Sequence, residues 1–373
     1  MKIGIMSMQR IINYGSWLQA YGLKQVLCSM GHKVEFVDYL AEPPLVKGET
    51  EAASAPDSGL GRLLRMLSPA YRRYRSGQIR MNQSFSAFYR KFSGEFLPML
   101  GVSEEQNLCP ELDALVIGSD EVFNCTQSSE AVGYSLQLFG RENRAKRLLS
   151  YAASFGSTTL ERLEQFGVRE EIGQHLAHFD AISVRDENSA GIVRELCGIE
   201  PDQNIDPVLL YEFQEVDDIP VPQKDYIVVY AYAGRIHDDE AEAIRAFAKK
   251  YNKKIITLGF YQPFCDEYAL VSPLEVLAYV KHADYVISDT FHGTVFSIRY
   301  QKKFAALIRQ SNRQKLADLL HRFDLDAHAV SSLSELEEIL LSEIPEEHIR
   351  NKLVLYRRDG HRYLRAALEH DCK

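Results

Sequence analysis

Four short stretches place polar, titratable and flexible residues directly after apolar runs. In Ser288-Asp289-Thr290-Phe291-His292-Gly293-Thr294, the histidine follows the run "ADYVI" and stands one residue before a glycine. Asp289 and Thr290 read as caps of a helix that begins near Gly293, which puts His292 at its N-terminal end. Positive potential there binds anions and favours the neutral imidazole. Histidine titrates near neutral pH, so His292 can give or take a proton during a reaction. The competing reading is a core histidine bonded to a carbonyl, against which the polar flanks argue. Arg185, in "AISVRDENS", offers a planar fork for carboxylate or phosphate; its alternative is an ion pair with Asp186 or Glu187. Gly118-Ser119-Asp120, with Asn124 beyond, reads as a ligand-facing turn or as helix caps. Asn13-Tyr14-Gly15 opens a helix whose free N–H groups suit an anion or a sugar oxygen, with Gly15 allowing close backbone approach. Together these residues point to acid–base chemistry on an anionic substrate.

The rest of the chain narrows the class. It has 373 residues, 46% hydrophobic and 25% charged, with a net charge of -9. That length predicts two domains. The acidic balance argues against nucleic acid as a partner, because binding it needs a basic surface. The six cysteines are scattered without C-x-x-C spacing, as for reduced thiols in the cytoplasm. No run approaches the roughly 18 apolar residues of a membrane span, and the N-terminus reads as a strand, not a signal peptide. Metal-binding patterns such as H-E-x-x-H are missing, and so are the Walker loop, G-x-G-x-x-G and G-x-S-x-G. Neither a metal nor a bound cofactor is therefore expected.

The elements that must position these residues alternate strand and helix. "KIGIM", the helix-like "NYGSWLQAYGLKQVLCSMG" and "HKVEFVDYL" make a βαβ opening, which predicts a parallel sheet. Apolar runs at 114–117, 148–152, 181–184 and 226–231 read as buried strands. A stretch rich in proline and aspartate at 201–223 marks the domain boundary. The expected organisation is α/β: an N-terminal Rossmann-like domain at 1–205, a linker at 206–223 and a second Rossmann-like domain at 224–373. Its C-terminal tail, from about 332 to 370, reads as helical and broken at Pro345. Residues 42–94 read as an insertion. From 60 to 94 it holds eight basic residues, Arg62 through Lys91, and no acidic one. This block is either a solvated helical face or a contact for anionic lipid or a phosphorylated substrate. In open parallel sheets the ligand lies outside the strands' carboxyl ends, so a cleft between the two domains is the expected site.

Taken in order, "NYGSWLQAYGLKQVL", "DALVIGSDEVFN", "LSYAASFG", "ISVRDENSAGIVRELCG", "DPVLL", "SPLEVLAYVKHADYVISDTFHGTVFSI" and "NRQKLADLLHRFDL" resemble the polysaccharide pyruvyl transferase family, from about residue 3 to 325. The resemblance implies a fold like that of GT-B glycosyltransferases. It also implies transfer of pyruvate from phosphoenolpyruvate, as a ketal, to a sugar of a bacterial surface glycan or its lipid-linked precursor, in the cytoplasm or at the inner membrane face. His292 falls on the family histidine and would be the general acid. Arg185 matches a family arginine and would hold the donor's phosphate or carboxylate. Ser119 and Asp120 fall on the family's Gly-Ser-Asp turn. One position departs: ketal-forming members carry an arginine two residues before the histidine, and here that residue is Thr290. Arg299, Arg309 or Arg313 could supply the missing cation. Ser288, Asp289, Gly293, Thr294, Asn13, Tyr14, Gly15, Gly118 and Asn124 complete the expected substrate site. Two alternatives stand beside this one. The first is a transferase using a nucleotide-sugar donor, with Asp266, Glu267 or Glu275 on the ribose. The second is an inactive relative that binds glycan or phosphate.

Overall fold

The computed structural model describes residues 1–46 and 69–369. Two six-stranded sheets dominate it. The first runs, edge to edge, Lys33–Phe36, Lys2–Met6, Ala114–Asp120, Leu148–Ala153, Ser183–Val184 and Asp202–Gln203. The second runs Glu267–Ala269, Lys254–Leu258, Tyr226–Tyr230, Tyr285–Ser288, Lys303–Leu307 and Ala329–Val330. Every pairing within them is parallel. The central strands Ala114–Asp120 and Tyr226–Tyr230 are buried along their whole length. This is why they read as unbroken apolar runs rather than alternating ones. The 181–184 run forms only a two-residue strand, Ser183–Val184.

Helices follow the strands as the periodicity predicts. Tyr14–Ser29 starts at an Asn13 cap, and Gly31 leaves it with φ +86°. Pro273–His282 opens on a Ser272–Glu275 capping box. Phe291–Arg299 begins two residues earlier than expected because Thr290 is its cap. The tail forms Leu336–Leu341 and Glu346–Glu369, separated around Pro345.

The two halves share one apolar core, which runs from Ile5 and Trp17 to Val228 and Phe296. Within the stretch expected as a linker, Val208, Leu209, Leu210 and Phe213 are buried. Two segments lock the halves further. The helix Pro69–Lys91 sets Phe88 5.0 Å from Tyr14 and 5.6 Å from Phe260. The last helix returns to the first sheet, where Tyr363 donates to the Ser150 carbonyl at 2.8 Å. Of the basic block, Arg62 and Arg65 lie outside the described residues. Arg80 and Arg90 are exposed, and Lys91 turns inward to donate to the Leu270 carbonyl at 3.2 Å. Among the described residues no helix is long and apolar enough to cross a membrane.

Candidate active site

The carboxyl ends of both sheets open on one pocket of about 240 Å³. The first half lines it with Asn13, Ser16, Asp120, Glu121 and Arg185, and the second with Tyr230, Tyr232, Arg235, Thr290 and His292. Three helices begin here, Tyr14–Ser29, Phe291–Arg299 and Arg313–Arg322; Asn13 caps the first and Thr290 the second, and the third has no side-chain cap.

Asp120, Arg185 and His292 line the pocket's inner wall, and Asp206, behind it, joins the arginine to the histidine. Arg185 donates to Asp206 at 3.1 Å and to Asp120 at 3.3 Å, and its guanidinium lies 4.3 Å from the centre of the Phe291 ring. Asp206 Oδ2 lies 3.5 Å from His292 Nε2, while its Oδ1 accepts from the Val208 N–H at 2.9 Å. Ser16 donates to Asp120 at 2.7 Å. Burial raises the carboxyl pKa of Asp206, but the contact with His292 and the Arg185 charge outweigh it and hold it below its ordinary value. Asp120 behaves alike: burial opposes ionisation, and the charges of His292 and Arg185 overcome it. Burial disfavours the Arg185 cation, yet Asp120 and Asp206 reverse the effect and raise its pKa. Asp120, Arg185 and Asp206 together leave one negative charge beside the His292 ring. The positive helix end is therefore not the only field at this ring.

His292 is buried, and its Nε2 has no hydrogen-bond partner. Asp206 Oδ2, at 3.5 Å, is too distant for a formed hydrogen bond. No carbonyl satisfies Nε2, whose neighbour is the Asp206 carboxylate. The ring is wedged against Gly15: a Cβ there would lie 2.2 Å from the ring's Cγ and Nδ1.

On the other side of the pocket, the carboxylate of Asp289 is fully buried and lies 2.9 Å from Arg235 Nε and 3.7 Å from Arg309 Nε. Burial raises its pKa above the ordinary value despite both cations. Arg309 is itself gripped by Glu240 at 2.6 and 2.7 Å. Lys315 pairs with Glu121, whose pKa is set by burial pushing it up and the Lys315 charge pulling it down, with a net fall.

The expected residues divide into three groups. Asp120, Arg185, His292, Asn13, Asp289 and Thr290 line the pocket. Of these, Asn13 caps its helix through Gly15 N and also donates to the Tyr232 hydroxyl at 2.7 Å. Arg185 does not present a free fork to a donor, because its two terminal nitrogens are spent on carboxylates and its side chain is 2% exposed. Its partners are not the adjacent Asp186 and Glu187, since Asp186 caps the next helix at Ser189 N.

The second group supports the pocket without reaching it. Gly15 makes room for the His292 ring and not for a ligand. Gly293 makes room for Ser288, whose Oγ would lie 2.0 Å from a Cβ. Ser288 donates to the Tyr230 carbonyl at 2.6 Å, and Thr294 to that of Thr290 at 3.2 Å. Gly118 lets the Tyr151 carbonyl approach the strand. Ser119 donates to the Ala152 carbonyl at 2.8 Å, and Asn124 ties Thr158 to Glu121.

The third group lies elsewhere. Tyr14 packs among Phe88, Phe92 and Phe96 and donates to the Val271 carbonyl, because its place on the helix points it into the core. Arg313 is exposed and does not line the pocket. Arg299 is buried on the carbonyls of Val208, Tyr211 and Glu212.

Sequence reasoning missed Asp206, Arg235, Glu121 and Lys315. Arg235 could have been found, since it stands in the junction after Tyr226–Tyr230. Among the described residues no group of three His, Cys, Asp or Glu is arranged to hold a metal.

The sequence model of the family described as polysaccharide pyruvyl transferase matches residues 13–311. No curated protein matches the chain. Among solved structures, the Neisseria meningitidis UDP-GlcNAc 2-epimerase bound to UDP-GlcNAc superposes with a TM-score of 0.50 at 10% identity, over 99% of each chain. A Streptomyces glycosyltransferase complexed with thymidine diphosphate gives a TM-score of 0.47 at 11% identity, over 98% of this chain and 99% of that one. A mutant of the Thermobaculum terrenum O-GlcNAc transferase gives 0.39 at 13% identity; this chain is covered in full but spans 64% of that protein's length. The fold is GT-B-like, with two parallel-sheet halves facing a cleft.

Proposed function

Since the chain belongs to the polysaccharide pyruvyl transferase family, we propose that it moves pyruvate from phosphoenolpyruvate onto two hydroxyls of a saccharide. The acceptor is a bacterial surface glycan or its lipid-linked precursor. The observation that carries this reading is His292, which lines a pocket shared by both halves and keeps a buried, unpartnered Nε2 beside Asp206. In the imidazolium form, His292 gives its proton to the methylene carbon of phosphoenolpyruvate. C2 becomes electrophilic, and one sugar hydroxyl adds to it. The second hydroxyl then displaces phosphate and closes the ketal; the two hydroxyl protons pass to the imidazole and to the departing phosphate. Asp206 and Asp120 balance the charge that His292 carries before it acts.

Thr290 leaves the donor's anionic groups without the family arginine. The cations that line the pocket are Arg185, Arg235 and Lys315; all three are ion-paired, Arg185 through both terminal nitrogens, Arg235 through Nε to Asp289 and Lys315 to Glu121. Of these, Arg235 and Lys315 hold one carboxylate each, and in this reading they share their charge with the donor's phosphate and carboxylate, beside the uncapped start of Arg313–Arg322. The nucleotide-sugar alternative has less support. Asp266 accepts from Ile255 N, Glu267 from Gln223 and Glu275 from Ser272 N, and none of them lines the pocket.

The test is phosphate release from phosphoenolpyruvate with galactose-, mannose- and N-acetylmannosamine-containing acceptors. Wild type should release phosphate only with an acceptor, and His292→Ala should lose release by about 10²-fold or more while still binding phosphoenolpyruvate. Equal release by both proteins refutes the assignment. Thermal stabilisation by a nucleoside diphosphate but not by phosphoenolpyruvate would transfer the reading to the nucleotide-sugar donor.

A further inference from the structure

Beyond Arg235 lies a second, outer recess of about 560 Å³. Ser157 and Arg162 line it from the first half, and Arg235, His237, Arg309 and Ser311 from the second. None of its lining residues is acidic, although the chain as a whole carries a net charge of -9. Arg235 and Ser311 also line the inner pocket, so the two spaces adjoin.

The cations of the recess are unevenly committed. Arg309 is held by Glu240, and Arg235 Nε by Asp289. Nη2 of Arg235 is buried and has no hydrogen-bond partner. The guanidinium of Arg162 makes no hydrogen bond or ion pair among the described residues; its backbone N–H goes to the Thr159 cap and its carbonyl accepts from Phe166 N. An unpaired guanidinium that lines the same acid-free recess as an imidazole is a set of groups that an anion would satisfy.

We propose that this recess is a second anion subsite, which binds a phosphate or diphosphate group on the acceptor saccharide. The proposal rests on the pyruvyl-transfer reading in one respect, the identity of the second substrate. In phosphoenolpyruvate both the phosphate ester and the carboxylate are attached to C2, the carbon attacked. Both must therefore lie in the inner pocket with His292, which does not line the recess. An anion held by Arg162 and His237 belongs to the other substrate. The acceptor then reaches inward with its hydroxyls and leaves its phosphate at the mouth, gripped by both halves at once.

Inorganic pyrophosphate is the first probe, titrated calorimetrically into the full chain. The wild type should bind it, with or without saturating phosphoenolpyruvate. Arg162→Glu should weaken binding by about tenfold or more, the worth of one charge-assisted contact. Arg245→Glu, on an exposed helical face outside both spaces, should change it less than about twofold. The second arm compares one acceptor saccharide with and without its phosphate. Loss of the phosphate should raise KM about tenfold at unchanged kcat, and Arg162→Glu should abolish that difference. No pyrophosphate binding, binding indifferent to Arg162, or complete displacement by phosphoenolpyruvate would overturn the subsite. If phosphoenolpyruvate itself does not bind, the proposed donor falls, while binding of pyrophosphate through Arg162 still upholds the recess.

Discussion

Replacing Asp206 by asparagine probes the charge chain at its centre. The change is isosteric, and Oδ1 can still accept from Val208 N. What it removes is the charge on Oδ2, which faces Arg185 at 3.1 Å and His292 at 3.5 Å. At an effective dielectric of about 20, the attraction to Arg185 is about 5 kcal/mol before desolvation is counted. Removing one member of a buried ionic pair costs about 3–5 kcal/mol, and the retained Val208 bond puts the expected loss near 3 kcal/mol. The sign with pH follows from the depressed pKa of Asp206. Its stabilisation is complete above the unfolded carboxyl value of about 4 and is lost as pH falls through the lower folded value. The gap in urea midpoint between wild type and Asp206→Asn should thus be steady from about pH 7 to 5 and narrow below about 4. Turnover should fall about 10²-fold, because the imidazole loses the group that holds and balances its charge. An unchanged midpoint at neutral pH, or a gap that stays constant into acid, would refute the reasoning.

Two further perturbations isolate single contacts. Gly15→Ala brings a methyl group to 2.2 Å from the His292 ring; displacing the ring by even an ångström should lower kcat about 10²-fold, with phosphoenolpyruvate binding, read by calorimetry, changed far less. Arg299→Ala removes the donor to the carbonyls of Val208, Tyr211 and Glu212. Leaving such buried acceptors unpaired should cost about 2–4 kcal/mol of stability, measured by urea unfolding, and a stable variant would show that these carbonyls find water.

Much of the candidate site was legible because it lies where buried strands end. Asp120, Arg185 and His292 each follow a run of apolar residues, and the parallel-sheet rule places such positions at the ligand face. Tyr14 and Arg313 were misplaced for a different reason. Each is next to a residue that does reach the pocket, Asn13 and Asn312. A helical step of about 100° turns the neighbour away, into the aromatic core for Tyr14 and to solvent for Arg313.

Alternation of strand and helix, the position of the junctions and the caps at Asn13, Ser272 and Thr290 depend on residues close in sequence, and the sequence alone determined them. Partner choice did not follow. Arg185 is flanked by Asp186, yet its carboxylates are Asp120, 65 residues away, and Asp206, 21 residues away. Gly15 looked like room for a ligand and is room for His292, from the opposite half. Such pairings are settled by which junctions converge once two sheets bury a shared core. A buried charge must take the partner that is within reach there, because leaving it unpaired costs several kcal/mol.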